Sequence, residues 1–305
     1  MQAQEIVAYQ KDMAWDEYLM PRSLDEALEI LERYRGAARV IAGGTDIVPA
    51  SRKGALEIKA LVDISRIPGL NGIRLDGATV KIGPLVTHTE TARSKVILKN
   101  GTALAEGASQ LGSPQIRNIA TVAGNIVNAQ PGADTVIPLL ALDGSITVRS
   151  RQSERCIPLA ELFTDVGKTT IDSTREIVTE IAFPALGTRE ASAAIRLGKR
   201  KTLVLPILTV AIVIGVDDKK TFAKARIAVG PVAKTPLRCK AAEKILLGSP
   251  VGDEVVKKAA AAAAKTANPR TSLIRGTSEY RKAMVAVLVE RGIATALRRL
   301  EESNG

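Results

Sequence analysis

Cysteine and histidine are scarce in this chain, which has 305 residues, two cysteines and one histidine. Cys156 and Cys239 lie far apart and form no CxxC motif, so we predict plain thiols rather than a disulfide. Two cysteines also exclude an iron–sulfur cluster held by four thiolates of this chain. A single histidine, His88, cannot build a metal site or a Ser-His-Asp triad, and we expect a surface or packing residue. We therefore predict no metal ligands in this chain.

Long apolar runs and aromatic residues are also missing. No apolar run reaches the roughly 18 residues that span a bilayer, and the N-terminus lacks the hydrophobic stretch of a signal peptide. These absences predict a cytoplasmic protein without a membrane span. HExxH and P-loop motifs are absent as well. Aromatic residues make up 3% of the chain, so aliphatic side chains and alanine must build the core.

Acidic residues number 32 against 43 lysines and arginines, which gives a net charge of +11 and a pI of about 9.7. Such a balance fits nucleic acid, an acidic partner surface or an anionic cofactor. The sequence contains no helix-turn-helix, zinc-finger or aromatic–basic module. We therefore predict no nucleic-acid binding, and favour a diffuse basic surface or docking to acidic partner subunits.

Helical and strand-like segments are mixed along the chain. Ser23 and Glu26 form a capping-box pattern that predicts a helix ending near Gly36. Pro184 and Gly187 mark a domain boundary, and helices are predicted again in the C-terminal third. Strand-like segments lie at 39–42, 61–64, 79–83, 145–150, 176–181, 208–216 and 224–229. This order predicts an α+β protein with antiparallel sheets.

Two segments place glycine, threonine, asparagine and aspartate between apolar residues: 41–47 (IAGGTDI) and 115–134 (QIRNIATVAGNIVNAQPGAD). Gly43 and Gly44 permit positive φ and close approach of the backbone to a ligand. Thr45 and the backbone N–H groups around it can donate to a phosphate. The pattern is not the GxGxxG fingerprint of a Rossmann dinucleotide site. Together the segments predict a site for a polar, phosphate-bearing ligand.

These segments, with 228–238 (AVGPVAKTPLR) and 278–282 (SEYRK), resemble the FAD-binding medium subunit of molybdenum hydroxylases, the family of xanthine dehydrogenases and aerobic carbon monoxide dehydrogenases. The similarity covers nearly the whole chain. It implies a two-lobed vanillyl-alcohol-oxidase-like (PCMH-type) FAD-binding domain over 1–182, with lobes of about 1–60 and 61–182. It further implies a small α+β domain over 185–300 with a three-stranded antiparallel sheet.

The resemblance also implies the role of the chain. FAD, bound non-covalently, passes electrons from iron–sulfur clusters of a partner subunit to an external acceptor. Molybdopterin and the iron–sulfur clusters belong to partners, a large molybdopterin-binding subunit and a small iron–sulfur subunit, in a dimer of heterotrimers. Substrate oxidation takes place on the molybdenum subunit, so this chain has no catalytic residue of its own. The substrate, and the choice of NAD, quinone or oxygen as acceptor, stay open.

The predicted cofactor-binding residues come from the two segments and from positions that match the family. They are Val40, Ile41, Ala42, Gly43, Gly44, Thr45, Asp46, Ile47, Leu111, Ile116, Thr121, Gly124, Asn125, Asp134, Ile177, Val178 and Lys199. Several have a structural alternative: the Gly-Gly pair as a capped turn, Asp134 as a helix N-cap, Leu111 and Ile116 as core residues, and Lys199 as a solvated lysine.

Two positions depart from the family pattern. Ala123 stands where the family usually has glycine before the Gly-Asn pair. Val204 and Leu205 stand where an acidic residue and an apolar or aromatic cover of the flavin are common. Independently of these departures, two other functions remain open: a self-sufficient FAD oxidase of the same fold, recognised by turnover of the isolated chain, and a non-enzymatic interaction scaffold, recognised by the absence of bound flavin.

Overall fold

The computed structural model describes residues 15–200 and 204–304. The N-terminal lobe is a parallel sheet of three strands in the order β1-β3-β2. Its elements are β1 (Glu17–Leu19), α1 (Leu24–Arg33), β2 (Ala38–Ile41), α2 (Ile47–Arg52) and β3 (Ala60–Asp63). The predicted capping begins α1: the Ser23 hydroxyl accepts from the Glu26 N–H, and Glu26 accepts from the Arg22 N–H. Strand β3 pairs with both neighbours, so its residues belong to this sheet.

The second lobe contains a five-stranded antiparallel sheet in the order β4-β5-β10-β6-β7. Its strands are β4 (Ile73–Asp76), β5 (Thr79–Ile82), β6 (Ser145–Arg149), β7 (Glu154–Pro158) and β10 (Ile177–Pro184), with a separate pair, β8 (Phe163–Asp165) and β9 (Lys168–Thr169). Its helices are α3 (His88–Arg93), α4 (Lys95–Asn100), α5 (Thr102–Gln110), α6 (Pro114–Arg117), α7 (Val122–Val127), α8 (Val136–Ala141) and α9 (Leu159–Leu162). Every residue of α8 is buried, so this short helix is part of the core.

The C-terminal domain is an antiparallel sheet of three long strands, with a two-residue fourth strand that the sequence did not reveal. The strands are β11 (Glu190–Leu197), β12 (Leu208–Val216), β13 (Phe222–Gly230) and β14 (Leu237–Arg238); the helices are α10 (Lys240–Leu246), α11 (Asp253–Thr266) and α12 (Ser278–Asn304).

Strand β12 is apolar almost throughout because it is covered on both faces. Val210 and Ile212 pack in the core of the C-terminal domain, which includes α11 and α12. Ala211 and Val213, on the opposite face, belong to the core of the second lobe. Alternating side chains point to opposite faces of a strand, so a continuous apolar run marks a strand buried on both sides. The two domains therefore share a packed interface.

Alanine and aliphatic residues build these cores, as the scarcity of aromatics predicted. Three alanines of α11, Ala259, Ala260 and Ala263, are fully buried and allow close packing of the surrounding elements. The only phenylalanines among the largest fully buried side chains are Phe183 and Phe222. Over residues 15–200 and 204–304, no helix is both long and apolar enough to cross a membrane.

Candidate functional site

A cavity of about 720 Å³ lies where the two lobes and the C-terminal domain meet. This volume falls within the range of about 300–1,000 Å³ that is usual for ligand sites. Every predicted cofactor-binding residue except Lys199 lines it. The N-terminal lobe contributes Val40, Ile41, Ala42, Gly43, Gly44, Thr45, Asp46 and Ile47; the second lobe contributes Leu111, Ile116, Thr121, Gly124, Asn125, Asp134, Ile177 and Val178.

Gly43 is the point at which the two predicted segments touch. A Cβ atom placed on Gly43 would lie 2.1 Å from the carbonyl oxygen of Ile119 and 3.1 Å from the Cα of Ala120. The separation of 2.1 Å is too short for any side chain, so only glycine permits the contact. The segment after β2 and the segment leading into α7 are thereby held side by side as walls of one cavity.

Glycine is needed at position 44 for a different reason: the φ of Gly44 is +70°. A residue with a side chain is strained in this conformation. A Cβ here would face the side chains of Ile41 and Val48. The predicted positive φ is confirmed at Gly44, and the turn that it allows directs Thr45 and Asp46 to the cavity wall.

Thr121 is the N-cap of helix α7, and its Oγ1 accepts a hydrogen bond of 3.0 Å from the Gly124 N–H. This is the usual arrangement of an N-cap threonine. Apart from the backbone of α7 itself, a Cβ on Gly124 would have only Thr121 Oγ1 within 4 Å among the described residues, at 3.1 Å, so the space beside Gly124 is largely open. Gly124 therefore leaves room along the cavity wall that any larger residue would fill.

Two amide side chains of the α7 region carry hydrogen bonds that fix their orientation. The Oδ1 of Asn125 accepts from the Thr135 hydroxyl at 2.7 Å, which leaves its Nδ2 as the donor it can offer to a ligand. Asn128 hydrogen-bonds the Asp46 carboxylate across the two segments; desolvation raises the pKa of Asp46 and this bond opposes the rise. The contact between Asn128 and Asp46 bridges the two segments that meet at Gly43, whereas the bond between Asn125 and Thr135 lies within the second lobe.

Asp134 is buried and forms an ion pair with Arg196, with 2.9 Å between Oδ1 and Nε. Burial raises the pKa of Asp134 to about 6, and the guanidinium of Arg196 opposes this rise. The N-cap of α8 is Thr135, so the alternative of Asp134 as that cap is wrong. Arg196 also donates to the carbonyl oxygen of Val204. Arg196, on β11 of the C-terminal domain, thus links Asp134 of the second lobe to Val204 of the C-terminal domain.

Arg196 is a residue that the sequence analysis missed in favour of Lys199. Lys199 is exposed and does not line the cavity, because the chain has already left β11 at Leu197. Its exposure fits the alternative of a solvated lysine. A signal for Arg196 did exist: it lies between Ile195 and Leu197, after two alanines, and a charge in such an apolar run needs a partner.

The two departures from the family pattern fall on different parts of the cavity. Ala123 is 6% exposed and packs in the core of the second lobe, so its methyl group is accommodated there. Val204 and Leu205 line the cavity from the C-terminal domain. Leu205 is 57% exposed, and Ile116 on the second lobe is 39% exposed. Exposed apolar side chains at a cavity wall provide surface that a flat aromatic ring can cover.

His88 is buried, and it also lies at the cavity wall. Neither ring nitrogen has a hydrogen-bond partner among the described residues. Burial, with a smaller contribution from the charge of Arg117, lowers the pKa of His88 to about 4. The expectation of a packing residue therefore describes its burial and leaves its unpaired nitrogens unexplained.

The site fits an elongated ligand with a polar, phosphate-bearing part and apolar ring systems. Open space beside Gly124, the donors of Thr45 and Asn125, and the unpaired nitrogens of His88 suit the polar part. The apolar walls suit the rings, and they include Leu111, Ile116, Ile177, Val178 and Leu205. This combination of groups matches the chemistry of FAD.

Comparison with known proteins agrees with this chemistry. Residues 11–186 match the family described as the FAD binding domain in molybdopterin dehydrogenase, and residues 193–296 match the CO dehydrogenase flavoprotein C-terminal domain. The chain is 34% identical over 283 residues to subunit alpha of the 6-hydroxypseudooxynicotine dehydrogenase complex of Paenarthrobacter nicotinovorans, covering 93% of this chain and 95% of that protein. It is 28% identical over 262 residues to the xanthine dehydrogenase FAD-binding subunit of Escherichia coli O157:H7, covering 85% and 89%.

A solved structure is also similar throughout. Carbon monoxide dehydrogenase from Hydrogenophaga pseudoflava, in a form lacking the Mo-pyranopterin moiety, contains a chain with a TM-score of 0.88 and 31% identity, covering 93% of this chain and 98% of that one. The fold and the site define an FAD-binding oxidoreductase subunit. The chain belongs to the family of FAD-binding medium subunits of molybdenum hydroxylases, as its sequence motifs implied.

Proposed function

We propose that one FAD binds non-covalently in the cavity between the lobes, and that this chain passes electrons from a partner's iron–sulfur clusters to an external acceptor. The single observation that carries the assignment of the site is the contact at Gly43, which joins both predicted phosphate-binding segments into one cavity. The proposed domains are residues 1–182, which hold most of the site, and residues 185–300.

Each wall of the cavity has a proposed task. Backbone N–H groups around Gly43 and Gly44, the Thr45 hydroxyl and the residues at the start of α7 bind the pyrophosphate. Asp134, held by Arg196, accepts hydrogen bonds from hydroxyl groups of the ribityl or ribose part. Val204 and Leu205 cover one face of the flavin, with aliphatic contact in place of an aromatic ring. FAD supplies exchange of one or two electrons, and the protein supplies position and electrostatics.

The partners follow from the family. Relatives carry names such as medium chain or FAD-binding subunit, which are names for parts of larger complexes. We propose a large molybdopterin-binding subunit and a small iron–sulfur subunit as partners, assembled as a dimer of heterotrimers in the cytoplasm. The net charge of +11 suits docking to acidic partner surfaces that weakens as salt is raised.

The proposed site is tested by reconstitution with FAD. Purified protein saturated with FAD should hold about one flavin per chain, and acid precipitation should release all of it into the supernatant. Gly124→Val should remain folded and bind no flavin, because its side chain occupies the open space beside Thr121. The measurements are flavin absorbance per protein and circular dichroism. Flavin that stays in the acid pellet would contradict non-covalent binding, and wild-type affinity in Gly124→Val would remove α7 from the site.

The relay function is tested by comparing the isolated chain with a reconstituted complex. The FAD-loaded chain alone should not hydroxylate a purine, an aldehyde or carbon monoxide, since two separated cysteines and one histidine cannot hold the metals of that reaction. Co-expression with the large and small subunits should yield a complex that reduces an acceptor. Substrate turnover by the metal-free isolated chain would favour the self-sufficient oxidase. Failure of the wild-type chain to bind any flavin would favour the interaction scaffold.

A further inference from the structure

His88 is held against the second segment by its own backbone. It is the first residue of α3, directly after Thr87, which forms a complete capping box with Glu90. The His88 N–H donates to the Ala120 carbonyl oxygen at 3.1 Å, and the Val122 N–H donates to the Val86 carbonyl oxygen at 3.1 Å. The imidazole is therefore anchored next to the residues that lead into α7, at the wall of the cavity.

The imidazole of His88 is a buried polar group without a partner. Its exposed fraction is 0%, and neither Nδ1 nor Nε2 is hydrogen-bonded within the described part of the chain. Buried polar groups are almost always paired in native proteins, and an unpaired one is unfavourable for folding. A ligand in the adjoining cavity would supply the missing partner.

The charge state of His88 suits a hydrogen-bond donor. Burial and the nearby Arg117 lower its pKa to about 4, so the imidazole is neutral at physiological pH. A neutral imidazole carries one N–H donor and one acceptor nitrogen. Because neither nitrogen is bonded within the described residues, no hydrogen bond to the protein has to be broken for the imidazole to bond a ligand.

We propose that His88 is a further cofactor-binding residue, whose imidazole N–H donates a hydrogen bond to a pyrophosphate oxygen of the FAD in this cavity. The proposal rests on the proposed function, since it needs FAD in this site. Phosphate is the fitting acceptor because His88 is anchored to Ala120, beside the segment assigned to the pyrophosphate. Hydrogen bonds between an N–H donor and an anionic oxygen are stronger than those between neutral groups.

The proposal predicts opposite effects of one substitution on the free and the cofactor-bound protein. His88→Leu removes the unpaired imidazole and should raise the Tm of the FAD-free protein. The same substitution should weaken FAD binding by about 10- to 100-fold, the effect of a lost hydrogen bond to a charged group. His88→Gln keeps an N–H donor and should bind FAD close to wild type. The measurements are thermal unfolding of the apoprotein and quenching of flavin fluorescence on binding.

Thr91→Val provides a matched control on the same helix. Thr91 is fully buried and does not line the cavity, and its hydroxyl donates to the Thr87 carbonyl oxygen at 2.8 Å. This variant should lower the Tm of the apoprotein and leave FAD affinity unchanged. A general disturbance of α3 would instead weaken binding in Thr91→Val as well.

A direct readout is available because His88 is the only histidine in the chain. In protein labelled with ¹⁵N-histidine, the imidazole signals should shift when FAD is added and should report one N–H in a hydrogen bond. If wild type binds FAD, while His88→Leu keeps wild-type affinity or the imidazole signals stay unchanged, the role of His88 is refuted. If wild type binds no FAD at all, the proposed function itself fails.

Discussion

Replacing Gly43 by alanine should weaken FAD binding strongly and destabilise the protein, the largest effect that we expect from a single methyl group. The added Cβ would stand 2.1 Å from the Ile119 carbonyl oxygen and 2.8 Å from its carbon. Both of these atoms are backbone, so relief requires the two segments to move apart. Forcing extra volume into a packed region costs about 1–3 kcal/mol. A comparable loss in binding free energy corresponds to an affinity weaker by about 5- to 160-fold.

Gly252→Ala is the matched control for this prediction. Gly252 has an extended backbone with φ of −177°, and a Cβ there would meet no atom within 4 Å. Because Gly252 is the N-cap of α11, where alanine is a poorer cap than glycine, this variant should lower the Tm slightly and keep the wild-type flavin content. Thermal unfolding and the ratio of flavin to protein absorbance measure both effects. A Gly43→Ala protein that retains bound FAD would show that the segments can separate without loss of the site.

Much of the fold could be predicted because its signals are local. The Ser23 and Glu26 pattern marks the start of α1, and the continuous apolar run of β12 marks a strand. Gly43 and Gly44 were recognised as residues that permit close approach and positive φ, and the structure shows one use at each. The short strand β14 escaped prediction, because pairing of two residues depends on the neighbouring strand rather than on a pattern of its own.

The candidate site was predictable where its residues stand in short segments, and not where two distant residues meet. Asp134 and Arg196 are 62 residues apart in sequence, and no local sequence pattern predicts their contact. His88 was judged by the small number of histidines, whereas its importance comes from burial beside a cavity. Lys199 was preferred to Arg196 because the basic run is visible in sequence and the end of β11 is not. In each case tertiary packing decided where the side chain lies and which residues it contacts.

Arg196→Met should destabilise the protein by about 3–5 kcal/mol, the usual effect of leaving one member of a buried ion pair alone. The side chains of Arg196 and Asp134 are 5% and 7% exposed. Methionine keeps much of the volume but gives no donor to Asp134 or to the Val204 carbonyl. Val204, which lines the cavity, should lose its hydrogen bond from Arg196, so FAD affinity should fall together with the Tm. Adding Asp134→Asn to the Arg196→Met variant removes the unpaired carboxylate. The double variant should recover much of the stability, because an uncharged amide is easier to bury.

The effect of Arg196→Met should depend on pH in a direction that the pKa of Asp134 fixes. In the wild type this pKa is about 6, above the value of about 3.9 in an unfolded chain. The folded state therefore binds the proton more tightly, and its stability falls as pH rises from about 4 to about 6. In Arg196→Met the guanidinium no longer opposes this rise, so the pKa of Asp134 increases further. The loss of stability with increasing pH therefore continues through neutral pH. The Tm difference between variant and wild type should be small near pH 4 and large at pH 8. A difference that is equal at both pH values would mean that Asp134 does not ionise in the folded protein, and that Arg196 stabilises the fold mainly through Val204.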